Sequence, residues 1–153
     1  MKIIDYLSPQ DIVPTLEADN LEDVLREFAQ HLGSLKKVKD PEKLVEILLE
    51  REKLGSTGIG NGVAIPHGRL PGLDKILVAF GRSPSGIDFH AHDDQPVHLF
   101  FLLVAPEESA GAHLKALARI SKILKSPDCR RALMESANGE KLFEVISQED
   151  ERH

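Results

Sequence analysis

Between residues 55 and 68 the chain reads Gly55-Ser56-Thr57-Gly58-Ile59-Gly60-Asn61-Gly62-Val63-Ala64-Ile65-Pro66-His67-Gly68, with five glycines in fourteen positions. That density rules out a helix, because each glycine costs about 1 kcal/mol of helix propensity relative to alanine. A long regular strand is excluded on the same grounds of backbone freedom and missing side chains. The segment is therefore a loop made largely of bare backbone, leading into a short strand around Val63 to Ile65. Any fold of this chain has to bring its regular elements up to that loop from both sides.

Upstream, Asp5 to Pro9 reads as a short turn and Ile12 to Leu16 as a strand. Asn20 is placed to cap a helix whose Leu21, Val24, Leu25, Phe28, Ala29 and Leu32 fall on one face at helical period, with Gly33 closing it. Asp40-Pro41 supplies a cap and a first-turn proline for a second helix striped by Leu44, Ile47 and Leu48. Downstream, strands are expected at Lys75 to Gly81 and at Val97 to Ala105, with Pro84, Gly86 and the polar stretch His90 to Gln95 marking turns between them. The second strand is almost continuously apolar, as in a strand covered on both faces. Helices over Ala110 to Lys125, Pro127 to Ala137 and Glu140 to Ser147 complete the chain. Helices alternating with buried strands predict one α/β domain over 1–153, its core about 5–147, with a sheet covered by helices.

Charge and composition narrow the function classes. The net charge of −6 argues against nucleic acid, which is gripped by clustered Lys and Arg. The basic pairs Lys36-Lys37 and Arg130-Arg131 are each followed by acids and read as solvated helix ends. The longest apolar run, Leu99 to Ala105, is too short to cross a bilayer, and the N-terminus lacks the pattern of a secretory signal. A single cysteine, Cys129, forms no internal disulfide and fits a reducing compartment. A cytoplasmic domain without membrane insertion is expected.

Three residues outside ordinary core patterning could carry chemistry. His67 follows an apolar strand and Pro66 and precedes Gly68, so an imidazole is presented beside bare backbone. A neutral ring nitrogen is a competent nucleophile when its partner nitrogen holds the proton; a structural histidine in a tight turn would look the same. Arg51 shares the helical face of Leu44, Ile47 and Leu48 and should meet an anion or acceptor at the loop, or else snorkel from the helix end. His113 opens an apolar helix face with Leu117, Ile120 and Leu124, either as a satisfied core residue or as a donor at a helix N-terminus. The glycine loop offers amides to an anion, but no specific phosphate motif: after Gly60 stand Asn61 and Gly62 where a Walker loop needs Lys, and Val63 where a dinucleotide fingerprint needs glycine. A competing constellation, His90, His92 and Asp94 with His98 nearby, has residue types that suit zinc or iron and would make a metal-dependent hydrolase, although Gln95 interrupts the ligand pattern. Cys129 sits in a helical context and reads as an inert thiol.

Taken together, Arg51-Glu52, Gly55-Ser56-Thr57-Gly58, Gly62 to Gly68, Gly86-Ile87-Asp88-Phe89, Gln95-Pro96-Val97 and His113-Leu114 resemble the enzyme IIA domain of the fructose–mannitol type in the bacterial phosphotransferase system. The similarity covers nearly the whole chain and is greatest to the stand-alone nitrogen-regulatory branch. It implies a mixed β-sheet flanked by helices and a phosphoryl group accepted on His67 from a histidine phosphocarrier protein of the HPr kind. It further implies that Arg51 and His113 line the site, that Thr57, Gly58 and Gly68 help hold the phosphoryl oxygens, and that no cofactor or metal is needed. The recipients implied are regulatory target proteins or a separate EIIB. The histidine-rich run from His90 to Asp94 departs from the small residues expected there.

Overall fold

A computed structural model describes residues 1–153, with the backbone alone described at Ala110. Six strands form one mixed sheet: β1 (Ile12–Val13), β2 (Gly58–Gly60), β3 (Val63–Ala64), β4 (His67–Arg69), β5 (Leu77–Ile87) and β6 (Val97–Ala105). Five helices cover it: α1 (Leu21–Ser34), α2 (Pro41–Lys53), α3 (Ala110–Lys125), α4 (Pro127–Glu135) and α5 (Gly139–Glu151). The order across the sheet is β1-β5-β6-β3-β2, with β4 continuing the β3 edge alongside β6. Strands β3 and β4 run parallel to β6, whereas β5 runs antiparallel to it.

The layers follow from alternation along β6. Phe100, Leu102 and Val104 face a cluster containing Val24, Leu25 and Phe28 of α1 and Leu44, Val45 and Leu48 of α2. Leu99, Phe101, Leu103 and Ala105 face the opposite way, onto Ala116, Ile120 and Ile123 of α3, Leu133 of α4 and Leu142 and Ile146 of α5. Both faces are dry, which is why the strand reads as a continuous apolar run. The two N-terminal helices start as expected: the Asn20 side chain accepts from Asp23 N at 2.9 Å and that of Asp40 from Lys43 N at 3.2 Å. Helix α1 ends one residue beyond Gly33, closed by Lys37 N donating to Leu32 O and Lys36 N to Gly33 O, with Lys36 itself left-handed at φ 61°.

Three expectations need correction. The strand expected over Ile12 to Leu16 is only two residues long, because Pro14 cannot donate to a ladder. Pro84 and Gly86 lie within β5 and do not end it. Arg82 sits opposite Leu99 and Ile87 opposite Val97, so five steps along β5 match two along β6, and the exposed Pro84 and Ser85 occupy the resulting bulge. The last helix begins at Gly139 and runs on to Glu151, where the fully buried Asp150 accepts from Ile4 N and pairs with Arg119 at 2.6 Å, tying both chain ends to α3. Arg82, buried on the α4 side of the sheet, donates to the carbonyls of Pro14, Leu133 and Ser136 and closes the C-terminal end of α4. Among the described residues no helix is long and apolar enough to cross a membrane.

Candidate functional site

Alternation along the third and fourth strands positions the central imidazole. Val63 and Ile65 belong to the α3-side cluster and Ala64 to the α2-side cluster. Continuing that alternation sends the His67 ring toward α3 and Gly68 toward α2. Gly68 is a glycine for a packing reason: a Cβ there would sit 2.8 Å from Cγ2 of Ile47, so the missing side chain lets α2 lie directly on β4. Gly58 answers to a similar constraint, since its Cβ would meet Cα and Cβ of Ala91 at 2.9 and 2.8 Å.

His67 is half-buried, and its Nδ1 lies 2.8 Å from the carbonyl oxygen of Ile65. A carbonyl oxygen only accepts, so Nδ1 carries the proton and Nε2 is left with a free lone pair. Burial lowers the pKa of the ring below the ordinary histidine value, opposed by the bond to Ile65, and the Arg51 guanidinium lowers it further. The neutral, Nδ1-protonated ring is therefore the form present near neutral pH.

The second imidazole arrives from the other layer. His113 lies in the first turn of α3, 7% exposed, with its ring centroid 5.3 Å from that of His67 and the ring planes at 61°. Burial lowers its pKa, and His67 and Arg69 lower it further. Among the described residues its buried Nδ1 has no hydrogen-bond partner. Arg51, in the last turn of α2, donates from Nη1 to the carbonyl of Gly55 at 2.9 Å and so anchors the start of the glycine loop. The structure thus gathers His67, His113 and Arg51 from the sheet and from both helical layers.

Thr57 is buried, and both its donors are committed: its amide donates to Oε1 of Glu52 at 3.0 Å and its hydroxyl to Oε2. The Gly58 amide is likewise taken, by Oγ of Ser56 at 3.0 Å. Glu52 is the residue that sequence reasoning left without a role. Its signal was there, as the acid following Arg51 five residues before Thr57, but sequence alone does not tell a half-buried loop anchor from a solvated carboxylate.

The run from His90 to Asp94 does not build a metal centre. Among the described residues no three His, Cys, Asp or Glu side chains converge as ligands. Nε2 of His92 donates to the carbonyl of Ser56 at 3.0 Å, and Nδ1 of His98 donates to that of Ser83 at 2.9 Å. Asp93 accepts from the amides of Gln95 and Asn61, and those bonds hold its carboxyl below the ordinary value. With no third ligand converging on them, His90, His92 and Asp94 give the metal-dependent hydrolase reading no support in this geometry. The turn clamps the glycine loop instead. Two further bonds, His92 N to Gly58 O and Ser56 Oγ to Phe89 O, both at 3.0 Å, join the two segments. Cys129 is buried, and its thiol pKa is pushed up to about 11 by burial and by Glu149, which makes it a poor nucleophile.

Comparison with known proteins places this geometry. Residues 5–149 match the family described as phosphoenolpyruvate-dependent sugar phosphotransferase system, EIIA 2. A nitrogen regulatory protein of Bradyrhizobium diazoefficiens is 42% identical over 96% of this chain and 95% of its own length. The fructose-specific EIIABC component of Bacillus subtilis is 36% identical over 98% of this chain, which corresponds to 24% of that longer protein. Among solved structures, the nitrogen regulatory protein IIA-Ntr of Neisseria meningitidis superposes with a TM-score of 0.88 at 33% identity, covering 94% of this chain and 98% of that one.

Proposed function

Since the chain belongs to the EIIA 2 family of the phosphoenolpyruvate-dependent sugar phosphotransferase system, we propose that it is a phosphocarrier that accepts a phosphoryl group on Nε2 of His67. The observation that carries this reading is the 2.8 Å bond from Nδ1 of His67 to Ile65 O, which fixes the tautomer and leaves Nε2 unprotonated. The donor is a phosphohistidine on an HPr-like carrier protein. Nε2 attacks phosphorus in line, the new N–P bond forming as the donor's N–P bond breaks, and the electron pair of that bond returns to the donor imidazole. Nε2 carries no proton, so none has to leave before attack. Catalysis then consists of positioning and charge stabilisation.

Arg51 offsets the charge of the phosphoryl group, and His113 donates to one of its oxygens. With Nδ1 of His113 buried and without an acceptor, its proton is better kept on Nε2. Thr57 and the amides of Gly58 and Gly68 are further oxygen contacts, Thr57 to the extent that it gives up its bonds to Glu52 and Gly58 to the extent that its amide leaves Oγ of Ser56. The exposed Leu54 and Leu114, neighbours in sequence of the Arg51 turn and of His113, serve as apolar anchors for a docking protein.

The role is regulatory and cytoplasmic in this reading, phosphorylation of His67 switching the binding of target proteins. Similarity to nitrogen regulatory proteins over nearly their full length supports it. Similarity to fructose-specific components supports a second reading, in which the phosphoryl group passes to a separate EIIB. Incubation with a phosphorylated HPr-type carrier tests the chemistry. We expect an acid-labile, base-stable gain of one phosphoryl mass on the wild type and none on His67→Ala. His113→Ala, folded, should transfer more slowly by about 100-fold, the scale of one lost charge-directed donor. Phosphate uptake by His67→Ala would end the proposal. Capture experiments with His67→Asp and His67→Ala separate the roles: state-dependent binding of non-sugar proteins favours regulation, and reconstituted sugar uptake favours transport.

A further inference from the structure

At the far end of α2 from Arg51, about 12 Å along the helix by its rise per residue, lies a cleft of about 680 Å³. It is lined by the turn that closes α1, the first turn of α2 and the segment following β4. Five of the chain's eleven lysines lie on it, against only two aspartates, in a molecule whose net charge is −6. Two of those lysines have acidic neighbours: Lys37 pairs with the buried Asp11 at 2.6 Å, and Lys43 lies 3.9 Å from Glu46. Lys36, Lys39 and Lys75 are exposed and have no ion-pair partner among the described residues. Of the two aspartates, Asp40 accepts from Lys43 N as the cap of α2. Asp74, exposed beside Lys75, offsets part of that charge, and the excess of lysines over aspartates leaves a net positive field over one concavity.

The floor of the cleft differs from its rim. Leu70 and Leu77 are buried and Leu73 half-buried, so apolar side chains line the same cleft as the three free lysines. The volume falls within the range of small-molecule sites, roughly 300–1,000 Å³. Lys36 adds a second, independent observation. It occupies the left-handed position after α1, at φ 61°, where glycine is the usual residue and a lysine backbone is strained. The turn thereby fixes where the Lys36 side chain leaves the backbone, among the residues that line the cleft.

We propose that this cleft binds a nucleoside polyphosphate, the base lying on Leu70, Leu73 and Leu77 and the phosphates on Lys36, Lys39 and Lys75. An apolar ring joined to a chain of anionic groups is the chemistry that matches an apolar floor under a cationic rim. The site is distinct from His67 and does not depend on phosphoryl transfer there.

Calorimetric titration of the full chain with ATP, GTP and inorganic tripolyphosphate tests it. We expect one nucleotide bound per chain with Kd at or below about 1 mM, weakening steeply with added salt. The triple variant Lys36→Gly, Lys39→Gln, Lys75→Gln should bind about tenfold or more weakly, the scale of lost charge-assisted contacts. His67→Ala should bind as the wild type does. Lys36→Gly alone should raise the thermal midpoint while weakening binding, opposite signs that general damage to the fold does not produce. Absence of binding for both nucleotides, or unchanged binding in the triple variant, overturns the proposal. Tripolyphosphate binding as tightly as ATP overturns the assignment of the apolar floor to a base. Loss of binding in His67→Ala would relocate the anion to the phosphorylation site and overturn it as well.

Discussion

At the scale of single residues, the proposed chemistry depends on two imidazoles held neutral. Burial lowers the pKa of both His67 and His113, and Arg51 and Arg69 respectively add to the effect. Phosphoryl acceptance should therefore stay constant through neutral pH and fall only along an acid limb whose inflection lies below about 6.5, the ordinary histidine value. A stopped-flow rate profile reads that limb, and an inflection above the ordinary value would contradict the tautomer argument. Stability has the matching sign. The unfolded chain takes up these protons first as pH falls, so the contribution is complete above about 6.5 and is lost as pH drops through the lowered folded-state values. Urea midpoints measured from about pH 8 to about pH 5 should fall less steeply in His113→Gln than in the wild type. Sequence pointed to His67, Arg51 and His113 because each broke a pattern, as a histidine after proline, a guanidinium on an apolar stripe or an imidazole on an apolar helix face. Glu52 broke none, since an acid next to an arginine at a helix end is commonplace, and only folding brings it under Thr57.

At the scale of elements, the glycine loop has little of its own to hold it and takes its shape from the turn laid along it. His92, Ser56, Asp93 and Asn61 provide the fastening, with bonds of 3.0 to 3.1 Å. His92→Ala should speed amide hydrogen exchange across residues 56–61 and lower the phosphoryl transfer rate while leaving the far-UV spectrum unchanged. His92→Gln, which keeps a donor for the Ser56 carbonyl, should restore part of both, and identical behaviour of the two variants would sink the clamp. Regular elements with caps and periodic stripes, such as α1, α2 and β6, were legible because local chemistry determines them. The bulge in β5 was not. Proline and glycine signal a turn locally, and it took pairing on both sides with β6 to keep the strand running past them. The metal reading of His90 to Asp94 gained no support for a related reason, since residue type says nothing about whether side chains converge in space.

At the scale of the molecule, the sheet divides the interior into two dry halves, and the proposed reactive group is drawn from all three layers. Arg51 comes from the α2 side, His67 from the sheet and His113 from the α3 side. Buried bonds that cross between elements, notably Arg82 to the carbonyls of Pro14, Leu133 and Ser136, bind those layers into one unit. Unfolding in urea followed by loss of phosphate uptake and by far-UV signal should therefore give coincident transitions, and uptake that outlived the helical signal would contradict the three-layer assembly. One consequence lies in the absent Cβ of Gly68, which lets Ile47 rest against the ribbon that bears the reactive ring. A methyl added at that position has to push α2 outward, and Arg51 rides on the same helix. Filling the gap would therefore displace the guanidinium while leaving the imidazole on its strand.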